Sequence, residues 1–292
     1  MKNNAYTHKG LFHADEAVGT AEMLLANPNL KIHRVNFEEL TQDQINHGYI
    51  LDIGREYNPI MGRFDHHQFD RRNPEHSVLI RKNGIPYATA GLIWQEVGMQ
   101  LCGFDRDVFE RVDKVLIEQI DAHDADSTYY ASASASDNEV RLMTLSNVIS
   151  SFNTENIHND EAQYEAFTQA VEFAKRIIQN NIEAAKKYVE ASRKFDSIIT
   201  KESEQIIFLP EFVHWKEIVR ENYPYVRFVI TKSSHIEGEF SLLAVPVHPA
   251  KRELIIPIER PEWFTGFIPA GKFIAGCKTY EEALKLAKYN LP

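Results

Sequence analysis

The sequence contains only two cysteines, Cys102 and Cys277, among 292 residues. This number excludes the disulfide framework of a small secreted domain and a cysteine-rich structural zinc site. No apolar run approaches the roughly 20 residues that cross a bilayer. The first ten residues, MKNNAYTHKG, lack the apolar core of a signal peptide. We therefore expect a cytoplasmic protein without a membrane-spanning segment.

Basic residues are also fewer than acidic residues. The chain has 32 lysines and arginines against 42 aspartates and glutamates, which gives a net charge of −10. A chain with this balance is not a polycation that wraps duplex nucleic acid. A nucleotide substrate remains compatible with it, because bound divalent cations reverse the field of a carboxylate-rich site.

The N-terminal part of the sequence alternates strand and helix patterns. NAYTH (4–8), KIHRVN (31–36) and GYILDIG (48–54) are typical of strands. Apolar residues at helical spacing predict helices over 15–26, 87–101 and 107–126. Such alternation favours an α/β fold with a mainly parallel sheet, whose ligands bind beyond the carboxyl ends of the strands.

The rest of the chain has a different pattern. Residues 160–197 contain no glycine or proline and carry apolar residues at helical spacing, which predicts a long helix. EQIIFLP, YVRFVITKS and FSLLAVPV are strand candidates, and TYEEALKLAKYN is a closing helix. SASASDNE (132–139) is predicted to be a loop. We therefore divide the chain into an N-terminal α/β domain (1–155), a connecting helical segment (156–199) and a smaller α+β C-terminal domain (200–292).

Metal-capable side chains recur in four segments near the ends of predicted elements. These are THKGLFHADEA (7–17), Asp52 after its strand, FDHHQ (64–68) and IDAHDAD (120–126). Each alone has an ordinary structural explanation, since Asp15 is a good cap for the helix that begins there. Together they hold the carboxylates and imidazoles that a pair of divalent cations needs. Loops at one edge of a parallel sheet can bring such segments together.

The order H-x4-H-x-D-E, LDIG, FDHHQ and IDAHDAD resembles the DHH phosphoesterase superfamily. Within it, THKGLFHADEA, DIGREYNP and RFDHHQ look most like the MYG (melanocyte proliferating gene) family. The resemblance extends to GKFIAGCKTYEEAL near the end of the chain and is strongest over the first 130 residues. It implies a DHH-type catalytic domain with two metal ions, a linking helix and a smaller substrate-binding domain.

The resemblance also implies a ligand set. His8 and His13 would hold one metal and Asp15 the other, with Asp52 bridging both and His66 completing the set. Many members of the superfamily carry an aspartate where this chain has His13. An imidazole there lowers the negative charge of the site and favours a transition ion. We therefore expect two divalent cations, manganese ahead of magnesium.

Three further positions follow from the same resemblance. An aspartate of IDAHDAD should supply the last ligand: Asp124 stands where relatives carry a D-x-G turn, and Asp121 is a rival. Asp65 is expected to orient a histidine and fix its tautomer. His67 is expected to face the substrate as a positive group or a proton donor.

The C-terminal part departs from the superfamily pattern. Relatives carry a glycine-rich G-G-H stretch that contacts substrate phosphate, and residues 274–278 here read IAGCK. Gly276 and Lys278 remain candidates for phosphate contact, and Cys277 is interpreted as a small apolar filler. Lys251 and Arg252 are further candidates, although surface basic residues are common.

These features predict a metal-dependent phosphoesterase. Its expected form is exonuclease-like hydrolysis of RNA or short oligonucleotides by a hydroxide that two metals activate, because the MYG family is linked with 3′-to-5′ RNA exonuclease activity. The alternatives are a hydrolase of a small phosphoanhydride or cyclic dinucleotide, and a metal- or nucleotide-binding protein with little catalysis. The sequence has no P-loop, GxGxxG motif or nucleophile elbow. Relatives are often dimeric, so a homodimer is a further expectation.

Overall fold

The computed structural model describes residues 2–70, 72–125, 143–211, 213–248 and 253–292. The chain divides into two compact units, Met1–Lys186 and Lys187–Pro292. The boundary falls inside the long helix that the sequence predicted, so this helix contributes to both units. The loop predicted over 132–139 lies outside the described residues, as do Lys251 and Arg252.

The first unit is built on a five-stranded sheet with the order β2-β1-β3-β5-β4. Its strands are β1 (Asn4–His8), β2 (Lys31–Val35), β3 (Tyr49–Leu51), β4 (Tyr57–Asn58) and β5 (Arg63–Phe64). The pairs β2–β1, β1–β3 and β3–β5 are parallel, and β4 pairs with β5 in the antiparallel sense. The mainly parallel sheet expected from the alternating pattern is therefore confirmed.

The helices predicted over 15–26 and 87–101 are present as α1 (Ala14–Ala26) and α3 (Thr89–Leu101), and the helix predicted over 107–126 forms α4 (Arg106–Val112) and α5 (Glu118–Ala125). The short helices α2 (Gln42–His47) and α6 (Leu145–Ser150) were not predicted. The long helix predicted over 160–197 is α7 (Asp160–Ile198). Five π-helical residues, Asp113–Ile117, join α4 to α5. Helices α1 and α3 pack closely at Gly19, where an added Cβ would lie 2.8 Å from Ile93 Cδ1.

The second unit has a mixed sheet with the order β10-β9-β8-β7-β6. Its elements are β6 (Thr200–Ser203), β7 (Ile206–Leu209), α8 (Trp215–Asn222), β8 (Phe228–Lys232), β9 (Phe240–Ala244), β10 (Ile274–Cys277) and α9 (Tyr280–Tyr289). Strands β7 and β8 are parallel, and the other pairs are antiparallel. The three strands predicted here are confirmed, whereas β6, β10 and α8 were not predicted.

Both faces of the second sheet are apolar. Phe228 and Ile230 pack with Leu286 of α9, whereas Val229 packs with Ile218 of α8. A strand that is buried on both faces is a continuous apolar run in the sequence. The two sheets with their helices make this an α/β protein, and no helix in the described ranges is long and apolar enough to cross a membrane.

Candidate metal centre

The metal-capable side chains of the first unit gather at the carboxyl edge of its sheet. His8 is the last residue of β1, Asp52 follows β3, and Asp65 follows β5. Because parallel strands end at the same edge, these positions are close despite gaps of more than ten residues in the sequence. Helix α1 begins at this edge, and its first turn contributes Asp15 and Glu16.

Asp52 lies between two histidines. His8 Nε2 is 3.4 Å from Asp52 Oδ2, and His66 Nε2 is 3.5 Å from Asp52 Oδ1. Each carboxylate oxygen of Asp52 therefore faces a different imidazole. The backbone of Asp52 has a φ of 59°, a left-handed conformation that is uncommon outside glycine and that asparagine and aspartate tolerate best.

A second set of contacts surrounds His66, which is buried. Its Nε2 lies 3.6 Å from Asp15 Oδ2 and 3.2 Å from Asp124 Oδ2. Asp15 is on the first turn of α1 and Asp124 on the last turn of α5. Two helices and the loop after β5 thus present their side chains to one another.

Several of these side chains meet in sets of three whose ligand atoms all lie within 4.8 Å of one another. Each set contains carboxylates with or without imidazoles, and the sets share members. They are His8, His13 and Glu16; Asp52, His66 and His67; His13, Asp15 and Asp124; and Asp15, Glu16 and Asp52. The described residues thus include several combinations that could hold a metal ion.

Glu16 was not among the predicted site residues, although it stands next to Asp15 in the HADEA motif. It is fully buried, and its oxygens accept the backbone N–H of His13 at 2.8 Å. Its Oε1 also lies 2.8 Å from His8 Nε2. Glu16 therefore fixes the position of one histidine and the backbone of the other.

The surroundings of Asp15 suit a bound cation. Burial, together with the neighbouring carboxylates of Asp52 and Asp124, raises the pKa of Asp15 well above its ordinary value. Neither Asp15 oxygen has a hydrogen-bond partner of acceptable geometry among the described residues, and the same holds for His66 Nε2. Buried polar atoms are rarely left in this state. A divalent cation would satisfy both groups, so the residues fit a metal site.

Neighbouring carboxylates also raise the pKa values of the two histidines beside Asp52. Burial opposes the protonation of His8, but hydrogen bonds to Asp52 and Glu16 outweigh burial and raise the pKa of His8 to about 10. Burial likewise opposes protonation of His66, whereas Asp124 and Asp52 raise its pKa to about 10. Without a metal, protons on these rings offset the buried negative charge. Metal binding releases such protons, because an imidazole must be neutral to act as a ligand.

Asp65 orients His67. Its Oδ1 accepts the backbone N–H of His67 at 2.9 Å and lies 2.8 Å from His67 Nδ1. Its Oδ2 accepts the backbone N–H of Arg55 at 2.6 Å. The hydrogen bond to Asp65 raises the pKa of His67, whose side chain is half exposed. A buried carboxylate thus holds one ring nitrogen while the imidazole faces the solvent side of the cluster.

Thr89 is a site residue that the sequence did not reveal. It is buried at the first position of α3, and its hydroxyl donates to Asp52 Oδ1 at 2.9 Å. A threonine that begins a helix is ordinary in sequence terms. Its partner lies 37 residues away, so no local pattern could have predicted the contact.

Asp121 has a different environment from Asp124. It is fully buried; its Oδ2 accepts Arg81 Nη2 at 2.6 Å, and its Oδ1 accepts the backbone N–H of Gly91 at 2.9 Å. An added Cβ at Gly91 would lie 2.0 Å from Asp121 Oδ2. Asp121, which lies on α5, thus accepts a backbone N–H from the first turn of α3. It belongs to none of the metal-capable sets among the described residues, whereas Asp124 belongs to one.

The predicted substrate-binding residues of the second unit lie at the sheet edge. Gly276 is in β10 and donates its N–H to Phe267 O at 2.9 Å. Lys278 follows β10 with an exposed side chain, and its backbone N–H donates to Glu282 Oε2 at 2.7 Å. Cys277 is buried, in agreement with its interpretation as an apolar filler, and burial raises the pKa of its thiol to about 12. Arg252 lies outside the described residues.

Fold and site together define an α/β protein with a candidate metal centre at the carboxyl edge of its first sheet. A family model named MYG1_exonuc and described as an uncharacterised protein family (UPF0160) matches residues 4–291. The match covers nearly the whole chain, so the chain belongs to this family, the MYG family.

Relatives in the family are distant but similar over most of their lengths. The MYG1 protein of Saccharomyces cerevisiae is 25% identical, and the alignment covers 100% of this chain and 96% of the relative. The MYG1 exonucleases of Rattus norvegicus and Homo sapiens are 25% and 24% identical, with 98% of this chain and 84% and 85% of the relatives covered. An uncharacterised protein of Helicobacter pylori overlaps in structure with a TM-score of only 0.21 at 10% identity, over 94% and 93% of the two chains, which carries no argument.

Proposed function

We propose that the chain is a metal-dependent phosphoesterase that hydrolyses RNA or short oligonucleotides as an exonuclease. Buried Asp15 carries the proposal: its carboxylate has no hydrogen-bond donor among the described residues and lies among three other carboxylates at a sheet edge. The activity class is supported by relatives in the same family that are named MYG1 exonucleases. The first unit would then be a DHH-type catalytic domain, and the second would bind substrate.

The proposed centre holds two divalent cations, manganese ahead of magnesium. His8 and His13 would hold one, and His66, Asp15 and Asp124 the other. Asp52 would bridge them, which is supported by the two histidines that approach its two oxygens from different sides. Asp124 is favoured over Asp121, because Asp121 is already paired with Arg81.

When bound, divalent cations make water acidic and neutralise the non-bridging oxygens of a phosphate. The protein's own groups then have distinct tasks. Asp52 is held by the Thr89 hydroxyl. His67, positioned by Asp65 and half exposed, would bind a phosphate oxygen as a cation or protonate the leaving oxygen.

The test combines metal analysis with a substrate panel. We expect the purified protein to contain about two Mn²⁺ per chain after loading, measured by elemental analysis. We expect it to shorten RNA from one end and to release mononucleotides, followed by chromatography. A protein that retains no metal after gel filtration would contradict the metal centre. Turnover of pyrophosphate alone, with no cleavage of RNA or dinucleotides, would contradict the exonuclease.

A further inference from the structure

A cavity of about 390 Å³ opens at the metal-capable cluster. Its wall includes His8, His13, Asp52 and His67, and it extends past them to residues that the proposed chemistry does not use. Among these are Phe37 and Arg55. A volume of this size is suited to one small ligand and is too small for a duplex.

Phe37 gives this polar cavity an apolar wall. It begins the 3-10 turn Phe37–Glu39, one residue beyond the end of β2, and its side chain is half-buried. The turn is fixed at its start, where Asn36 Nδ2 donates to Glu39 Oε1 at 2.7 Å. Gly54 packs against the ring: an added Cβ there would lie 2.8 Å from Phe37 Cε2. Phe37 is therefore held in place by its own turn and by the loop that carries Asp52.

Arg55 is presented by an unusual backbone. Its φ is 54°, and Gly54 before it has a φ of 94°. A non-glycine residue adopts such a conformation at a free-energy cost, which persists when surrounding contacts fix it. Here the contact is the hydrogen bond from the Arg55 N–H to buried Asp65. The side chain is exposed and forms no ion pair with a carboxylate of the described residues.

We propose that Phe37 and Arg55 form a nucleoside monophosphate subsite beside the metal centre. Phe37 stacks on the base of the terminal nucleotide, and the Arg55 guanidinium binds a phosphate oxygen next to the cleaved bond. Aromatic rings stack on any base, and the arginine fork matches the geometry of phosphate. The inference rests on the proposed function and adds to it that the substrate is recognised one nucleotide at a time.

The test measures binding, so it does not depend on turnover. Affinities of the Mn²⁺-loaded protein for adenosine 5′-monophosphate and for ribose 5-phosphate, which lacks the base, are compared by calorimetry. Wild type is expected to bind the nucleotide roughly tenfold more tightly. Phe37→Leu should lose most of this preference, whereas Phe37→Trp should keep it because the stacking face remains.

Arg55→Gly tests the phosphate contact. Glycine keeps the left-handed backbone, so the loop can retain its shape. Both ligands are expected to bind roughly tenfold more weakly, since both carry the phosphate. Arg106→Ala is the control: it removes the same charge from an exposed residue of α4 and should leave both affinities unchanged.

The outcomes separate the subsite from the proposed reaction. Equal affinity of wild type for the two ligands, or a nucleotide preference that survives in Phe37→Leu, overturns the subsite. A preference that Phe37→Leu abolishes, in a protein that cleaves no phosphoester, supports the subsite and overturns the hydrolase.

Discussion

The two units differ in what they bury. The first unit encloses ionisable carboxyl groups, including Asp15, Glu16, Asp52 and Asp65. In the described part of the second unit the buried polar residues are Thr231 and Ser241, neither of them charged. Among the described residues, buried charged groups therefore belong to the first unit.

This difference agrees with the candidate metal centre in the first unit. Burial of a charge is costly unless a partner compensates it. Asp65 has hydrogen-bond donors and Asp121 has Arg81, whereas Asp15 has neither among the described residues. The basic group beside Asp15 is His66, whose Nε2 lies 3.6 Å from Asp15 Oδ2 without hydrogen-bond geometry. A bound cation would compensate the Asp15 carboxylate more completely, in agreement with the metal centre proposed for the first unit.

The strongest test of the contrast removes the central carboxylate of the first unit. Asp52→Asn keeps the shape of the side chain and removes one buried charge. We expect metal binding and phosphoester hydrolysis to fall together by more than about 100-fold, with far-UV circular dichroism unchanged. Metal content by elemental analysis and kcat/KM on a short RNA are the measurements.

The matched control for this variant is Asp43→Asn, which removes the same charge from an exposed position on α2. It should leave both readouts unchanged. Retention of full metal content by Asp52→Asn would mean that Asp52 has no part in metal binding and would contradict its proposed place between two cations.

The second prediction separates the two aspartates of α5. Asp121→Ala leaves Arg81 buried beside Asp113 alone, and breaking a buried ion pair costs about 3–5 kcal/mol. The free energy of unfolding should fall by this amount in the metal-free protein, measured with urea. Asp124→Ala should lower the metal-free stability less than Asp121→Ala does, because Asp124 is partly exposed beside His66, and it should weaken Mn²⁺ binding. The reverse assignment of the two effects would make Asp121 the ligand.

The secondary-structure elements and the metal-capable side chains could largely be predicted from the sequence. The contacts that hold those side chains in position could not. Strand β1, helix α1 and the His-Asp segments were evident, because period and motif are local properties. The contacts of Thr89 with Asp52 and of Asp121 with Arg81 join residues 37 and 40 positions apart, and neither has a local pattern. Strand β10 was missed for a similar reason: its four residues become a strand only through pairing with β9.

The third prediction concerns the Thr89 hydroxyl, which positions Asp52. Thr89→Val replaces the hydroxyl that donates to Asp52 with a methyl group of similar size. Removal of a partner of a metal ligand typically lowers metal affinity or activity by roughly 10- to 100-fold. We expect a decrease in this range, measured as the Mn²⁺ dissociation constant and as kcat/KM on RNA.

Thr20→Val provides the control for this substitution. Thr20 is also buried in the first unit, on α1, but its hydroxyl has no hydrogen-bond partner among the described residues. The same change there should leave metal binding intact and should not lower stability. Equal losses in both variants would point to general disturbance of packing and away from a specific role of the Thr89 hydroxyl.

The smallest effect is expected in the second unit. Cys277 is fully buried beside Gly276, and burial raises its thiol pKa to about 12. Because the thiolate is the reactive form, this sulfur should be inert at neutral pH. Iodoacetamide should label neither Cys277 nor buried Cys102 in the native protein, and RNA hydrolysis should be unchanged. Rapid labelling of Cys277 with loss of activity would break the contrast, because the second unit would then contribute a reactive group from its interior.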